Sequence, residues 1–274
     1  MSLFWLNKRL ASERTSKSYW ANGYYNKFQI QEQSRLLRFN MGYTANIDDV
    51  KPEEISPGVL KRTLLTSKNT GRGPPGDLTA THYTLTNGGT LTLDDPNVEY
   101  QDYIICGTAR SGKGYIHANT TMFVPSGKKH TFTHAGESDL RILSHSYSVP
   151  HPSHKWCKTR TAQLTFPNGQ QQLMTEEFHG LVGAHRFHAL DVQDYDVSEH
   201  TNPEETAYFM AGSGTMGSGD DVFEFKPGTL VYVEEGDLHW IKRDQNSLVP
   251  LHYFVMEYTE QDKMWSSRGF QGSL

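Results

Sequence analysis

The sequence predicts an all-β protein built from two similar barrels and preceded by an N-terminal extension. The first observation is an internal repeat, because an apolar strand leads into Gly-x-x-His twice, at 121–130 and at 230–239. A strand that ends in glycine precedes each copy, at 103–107 and at 208–212. Short alternating runs of β-branched and aromatic residues, bounded by Gly, Pro, Asn and Asp, indicate antiparallel strands. Helical periodicity is scarce, so we expect a jelly roll or barrel in each half.

The repeat and the composition divide the 274 residues into three parts. Residues 1–55 are polar and aromatic without a sustained period, and we expect either an arm that packs on the body or a neighbouring subunit, or an irregular ordered cap. The first barrel is predicted over 56–149 and the second over 150–274, with the proline-rich segment Val149–Lys155 between the two copies. Each of the two predicted barrels is large enough to bury a core of its own.

Turn residues between the alternating runs set the predicted strand boundaries. In the first half, strands are predicted at Thr81–Thr86 and Thr90–Leu93. In the second half they include Gln163–Phe166, Thr229–Val233 and Leu251–Glu257.

Composition excludes several classes of function. The net charge of −5 and the pI near 6.2 lack the basic excess that a nucleic acid partner requires. Apolar runs fall short of the 18 or so residues that cross a bilayer, and the start does not resemble a signal peptide, so we expect a cytoplasmic protein without a membrane partner. Two cysteines do not make a disulfide framework.

The two halves differ in the residues that could bind a metal. Only the second half places His200, Glu204 and Glu205 just upstream of its glycine. Histidine and carboxylate side chains are ligands for divalent transition metals. Together with the later Gly-x-x-His, this arrangement resembles the two motifs of the cupin superfamily, and the two copies resemble a bicupin. The resemblance covers roughly residues 55 to 260 and implies two tandem jelly-roll barrels, but this fold hosts many unrelated functions.

The resemblance implies a ligand set in the second barrel. Counting back from Gly212 puts Glu205 at the carboxylate position and His200 at that of a histidine, while His239 matches the second motif. Ser198 stands where the family has its first histidine, so three protein ligands remain. Two imidazoles and one carboxylate suit Fe or Mn and leave coordination positions for substrate, water or oxygen.

A second frame, meaning a second choice of which residues of this strand face the barrel interior, stays open. Because strand side chains alternate between faces, Glu199 and His200 cannot both point into a regular barrel. In that frame Glu199, Glu205 and His239 would be the inward set, similar to the site of the ureidoglycine aminohydrolases, which are also bicupins. Those enzymes have a glutamine at the position of His239, so their reaction does not carry over directly. A site without metal is the simplest alternative.

The first barrel lacks this ligand pattern. Its matching strand, 94–100, contains no histidine and puts Tyr100 where the carboxylate should be. We therefore expect a first barrel without metal, in which His130 is a hydrogen-bonded core or pocket residue.

Three further residues are candidates for substrate binding. Arg186 and His188 are two residues apart on the strand before the metal motif, and arginine suits a substrate carboxylate. His252 on the last strand is the third. The alternative for all three is a position at the solvent or at the domain interface.

Three functions follow as hypotheses. The first is a metal-dependent enzyme with oxygenase-type chemistry on a small polar metabolite. The second is a hydrolase, isomerase or lyase that uses the metal as a Lewis acid. The third is a non-catalytic module that binds a small ligand. In each case exposed sheet edges favour a homodimer.

Overall fold

The computed structural model describes residues 42–71, 77–149, 158–163, 171–175, 181–189 and 204–258, and for 171–175, 181–189 and 258 it describes the backbone alone. The strands of the first part are β1 (Tyr43–Asn46), β2 (Glu53–Ser56), β3 (Val59–Leu65), β4 (Leu78–Leu85), β5 (Thr90–Leu93), β6 (Val98–Cys106), β7 (Thr108–Ser111), β8 (Gly114–His117), β9 (Thr120–Val124), β10 (His130–His134) and β11 (Leu140–Ser148). They are followed by β12 (Arg160–Gln163), β13 (Gln171–Thr175), β14 (Leu181–Ala189), β15 (Glu204–Ala211), β16 (Gly214–Ser218), β17 (Asp221–Phe225), β18 (Thr229–Val233), β19 (His239–Arg243) and β20 (Leu251–Tyr258). A four-residue helix at Ser67–Thr70 and a 3-10 turn at Ile47–Asp49 complete the described elements.

The strands form four antiparallel sheets, two for each barrel. The first barrel has a seven-stranded sheet, in the order β12-β9-β6-β11-β4-β3-β2, and a four-stranded sheet, β5-β10-β7-β8. The second has a six-stranded sheet, β1-β18-β15-β20-β14-β13, and a three-stranded sheet, β17-β16-β19. The predicted all-β, two-barrel architecture is confirmed.

Each barrel encloses its own apolar core between its two sheets. In the first barrel, alternate residues of β4, β6, β9 and β11 meet residues of β5 and β10, and the buried set includes Ile104, Val124 and Phe132. In the second barrel, Phe209 stacks on Phe225 with ring centroids 3.7 Å apart. The strands therefore point one face into the barrel, as the alternation of their side chains requires.

A third core lies between the barrels, where the two large sheets pack against each other. Tyr103 stacks on Phe254 across this interface with centroids 4.1 Å apart. Two polar side chains join there as well, because the ring Nε2 of His145 lies 2.8 Å from the hydroxyl of Thr206. Both residues are buried. Large sheets that meet in this way make the two barrels one packed unit.

The barrels exchange one strand in each direction. Strand β1, which falls within the predicted arm, pairs with β18 of the second barrel, and β12 pairs with β9 of the first. The exchanged strands have related sequences, Thr-Ala-Asn at 44–46 and Thr-Ala-Gln at 161–163. Their amides bond equivalent threonines in opposite directions, since Asn46 donates to the Thr229 hydroxyl at 2.8 Å and Gln163 accepts from Thr120 at 2.5 Å.

Some predictions fall outside the described part of the chain. These include residues 1–41 of the extension and the connector from Pro150 to Lys155, so the domain boundaries stay predictions. Within the described residues, no helix has the length and apolarity needed to cross a membrane.

Candidate functional site

The Gly-x-x-His repeat forms the same turn in both barrels. The glycines, Gly127 and Gly236, have φ values of 78° and 84°, a region that residues with a Cβ rarely adopt. In each turn the backbone N–H of the residue after the glycine donates to the carbonyl three residues before it. Lys128 donates to Pro125 in the first barrel, and Asp237 donates to Glu234 in the second. The turn then delivers its histidine, His130 or His239, to the first position of the next strand.

In the second barrel this turn brings His239 against Glu205. The Nε2 atom of His239 lies 3.2 Å from Oε1 of Glu205, and each side chain is only 5% exposed. Glu205 precedes Ala207 and Phe209 on the face of β15 that points into the barrel core. The carboxylate and the histidine that the cupin resemblance implies as metal ligands are therefore neighbours inside one barrel.

His239 has two acceptors and, when neutral, one ring proton. Its Nδ1 lies 3.2 Å from the backbone carbonyl of Asp237, and its Nε2 faces Glu205. Burial lowers the pKa of His239, while the Asp237 carbonyl and the charges of Glu257 and Asp237 act in the opposite direction. If the ring proton is on Nδ1 and is donated to the Asp237 carbonyl, the lone pair of Nε2 points at a carboxylate oxygen of Glu205. A cation between these two atoms would stabilise that arrangement.

Sequence reasoning missed a second carboxylate near this pair, Glu257. It lies directly opposite Glu205 across the β15–β20 ladder, and its charge acts on His239. Directly opposed residues of a ladder share a face of the sheet. The available signal was the alternation along the last strand, in which Glu257 follows Tyr253 and Val255 on the inward face.

The other predicted site residues are not all within the described structure. His200, Glu199 and Ser198 lie outside it, so the choice between the two frames stays open. In the described residues no group of three or more His, Cys, Asp or Glu side chains is arranged to hold a metal ion.

The three candidates for substrate binding lie on β14 and β20. Arg186 pairs with Phe254, and His188 pairs with His252; for both β14 residues only the backbone is described, and their role stays a prediction. His252 alternates with Tyr253 and shares the face of Phe254, which packs between the barrels. The structure therefore does not bring His252 to the Glu205–His239 pair.

The first barrel has a different histidine–carboxylate pair. Tyr100 pairs with Val124 in the register in which Glu205 pairs with Val233, so tyrosine does occupy the position of the carboxylate. The carboxylate has moved two residues along the same face, to Asp102, whose second-barrel equivalent is Ala207. Its Oδ2 lies 2.8 Å from Nε2 of His130, with side-chain exposures of 0% and 7%.

Solved structures resemble this chain over most of its length. The protein Ylba from E. coli matches with a TM-score of 0.64 and 15% identity, covering 82% of this chain and 96% of its own. A putative glyoxylate-induced protein from Pseudomonas aeruginosa gives 0.59 and 11%, covering 74% and 81%. An oxalate decarboxylase from Lactobacillus farciminis, in a formate complex, gives 0.59 and 14%, covering 82% and 90%.

The sequence itself matches no protein-family model and no curated protein. At these identities the structural likeness establishes the fold and leaves the reaction open. These solved structures are cupin-fold proteins. The chain thus has the fold of the cupin superfamily in its two-barrel, bicupin form.

Proposed function

We propose that the chain is a metal-dependent bicupin enzyme whose second barrel holds Fe or Mn through His200, Glu205 and His239. The observation that carries the proposal is the buried contact of 3.2 Å between Nε2 of His239 and Oε1 of Glu205. Two neighbouring ligands of one ion, each bonded at about 2.1 Å, lie roughly 3.0–3.4 Å apart. The two donor atoms are thus spaced as they would be around a shared metal.

The donor set fits an oxygenase-type reaction on a small polar metabolite. Two histidines and one carboxylate are typical of metal centres that keep open positions for substrate and oxygen. When bound, the ion would supply Lewis-acid or redox chemistry at the end of the barrel. The chain's own part is to hold Glu205 and His239 in a dry site, since both are buried and the Asp237 carbonyl orients the imidazole.

A hydrolase, isomerase or lyase is the second candidate, and Glu257 favours it. An additional carboxylate beside Glu205 makes the site richer in oxygen, which suits manganese acting as a Lewis acid better than an oxygen-activating iron. One of the structurally similar proteins is a decarboxylase. In either case we infer a small-molecule substrate and a homodimer.

Metal analysis tests the proposal. Purified wild-type protein should carry about one equivalent of iron or manganese, and His239→Ala should lose it, because removing a ligand from a three-ligand site weakens binding strongly. The matched control is His130→Ala, the equivalent residue of the first barrel, which should keep the metal. Wild-type protein that folds normally and binds neither ion would support the non-catalytic module instead.

A further inference from the structure

Among the buried polar atoms of the first barrel that lack a hydrogen-bond partner in the described residues, two belong to one histidine–carboxylate pair. Oδ2 of Asp102 is bonded to Nε2 of His130, but Oδ1 of Asp102 and Nδ1 of His130 have no hydrogen-bond partner among the described residues. Asp102 is fully buried, and it stands between Tyr100 and Ile104 on the strand face that points into the barrel. Buried polar atoms in folded proteins almost always have partners, so these two require an explanation.

Counting protons identifies what is missing. A carboxylate accepts hydrogen bonds, and a neutral imidazole that donates from Nε2 to Asp102 has an unprotonated Nδ1. Unlike His239, His130 has a single described acceptor, so this tautomer satisfies its only bond. Both orphan atoms are then acceptors, and both call for a molecule that donates hydrogen bonds.

The walls of the site are aromatic. The His130 ring meets Tyr100 edge-on at 5.1 Å between centroids and Phe132 at 5.5 Å. Tyr83 and Tyr100 are buried in the core cluster of this barrel, and the charge of Asp102 adds to burial in raising the pKa of both phenols. An ammonium group can donate hydrogen bonds to both acceptors, and the neighbouring rings provide apolar surface for the carbon part of a small amine.

The fold does not require this carboxylate. At the equivalent position the second barrel has Ala207, which is equally buried in an equivalent sheet. A buried carboxylate with an unsatisfied oxygen costs several kcal/mol when nothing compensates it. Asp102 therefore has the properties of a ligand-binding residue rather than of a core residue.

We propose that the interior of the first barrel binds a small molecule that carries an amino or ammonium group, with Asp102 and His130 as its acceptors. This site is separate from the metal centre proposed for the second barrel, and it does not depend on that proposal.

Thermal unfolding of the full chain in methylammonium chloride tests this site. Relative to sodium chloride at the same concentration, methylammonium should raise the Tm by about 3–5 °C once its concentration is tenfold above Kd. Tetramethylammonium chloride, which has the same charge but no N–H donor, should not raise it. Asp102→Asn should abolish the response, whereas Asp94→Asn, which changes an exposed aspartate of the same barrel, should keep it.

A measurement on wild-type protein covers the case in which Asp102→Asn does not fold. Methylammonium should shift the ¹⁵N signal of the His130 Nδ1 atom, assigned by its loss in His130→Gln. An equal Tm in all three salts with an unmoved Nδ1 signal would overturn the proposal, because the orphan atoms would then be satisfied by water alone. A response that persists unchanged in folded Asp102→Asn would overturn it as well.

Discussion

The two barrels hold the same histidine at the end of the same turn, yet they pair it with different carboxylates. In the second barrel Glu205 lies 3.2 Å from His239, and in the first Asp102 lies 2.8 Å from His130, one step further along the strand face. The position that Glu205 occupies is filled by Tyr100 in the first barrel. Both barrels therefore pair this imidazole with an acid, but a different strand position supplies the acid in each.

This difference changes the chemistry available to each imidazole. His239 lies between two acceptors, the Asp237 carbonyl and Glu205, so a metal ion bound at Nε2 would remove the competition for its one ring proton. His130 has one described acceptor, so no metal ion is needed at its Nε2, but its other nitrogen is left without a donor. A shift of two residues along one strand thus separates a candidate metal site from a candidate site for a hydrogen-bond donor.

The largest expected effect comes from giving the first barrel the residue of the second. Tyr100→Glu places a carboxylate beside Asp102 with only His130 between them, and two buried like charges near one partner should lower the free energy of unfolding by about 3–5 kcal/mol at pH 7. Urea unfolding measures the loss, which should shrink as falling pH protonates the new carboxyl. Tyr100→Phe is the control and should lose only about 1 kcal/mol. A stable Tyr100→Glu variant that binds iron or manganese would contradict the distinction between the barrels.

The inter-barrel interface provides a second comparison, because the titratable His145 of the first half is replaced by Met256 in the second. Burial lowers the pKa of His145 to about 3. Since the unfolded chain takes up this proton near pH 6.5 and the folded chain does not, stability is fully present above pH 6.5 and is lost as pH falls toward 3. At pH 4.5 this one residue should cost about 2–3 kcal/mol.

His145→Met removes this proton uptake and tests it directly. At pH 7.5 the variant should be about 1 kcal/mol less stable, because Thr206 loses its partner. Between pH 7.5 and 4.5, urea unfolding should show a smaller loss of stability than in the wild type, by about 2–3 kcal/mol. Equal losses in both proteins would show that His145 does not remain neutral in the folded state.

Much of the fold could be predicted because turn residues mark where its strands begin and end. The predicted strands Thr90–Leu93 and Thr229–Val233 coincide with β5 and β18. The exchange of β1 and β12 could not be predicted, since the repeat that marks it is three residues long. Which sheet a short strand joins depends on distant partners, and no local pattern specifies them.

For the candidate site, the sequence identified residues that a repeat marks and missed those that depend on pairing. Glu205 and His239 have fixed spacings to glycines in their motifs. Glu257 is near them only because β20 pairs with β15 in one particular register. Asp102 was missed because the expected position was taken by Tyr100, and a shift of two residues keeps the same face of a strand.

The smallest expected effect concerns the exchanged strands. A hydrogen bond between a side-chain amide and a threonine anchors each strand, but one bond is buried and the other involves an exposed amide. Asn46 is 7% exposed and donates to Thr229 and to the Pro227 carbonyl, while its Oδ1 accepts from the Asp48 backbone. Gln163 is exposed, although its amide oxygen accepts from Thr120, the threonine equivalent to Thr229. Asn46→Ala should therefore cost about 2 kcal/mol, because buried groups lose their partners, and Gln163→Ala about 0.5 kcal/mol, because water replaces the amide. Urea unfolding of the two variants compares them, and equal losses would show that the two exchanged strands are anchored with similar strength despite their different burial.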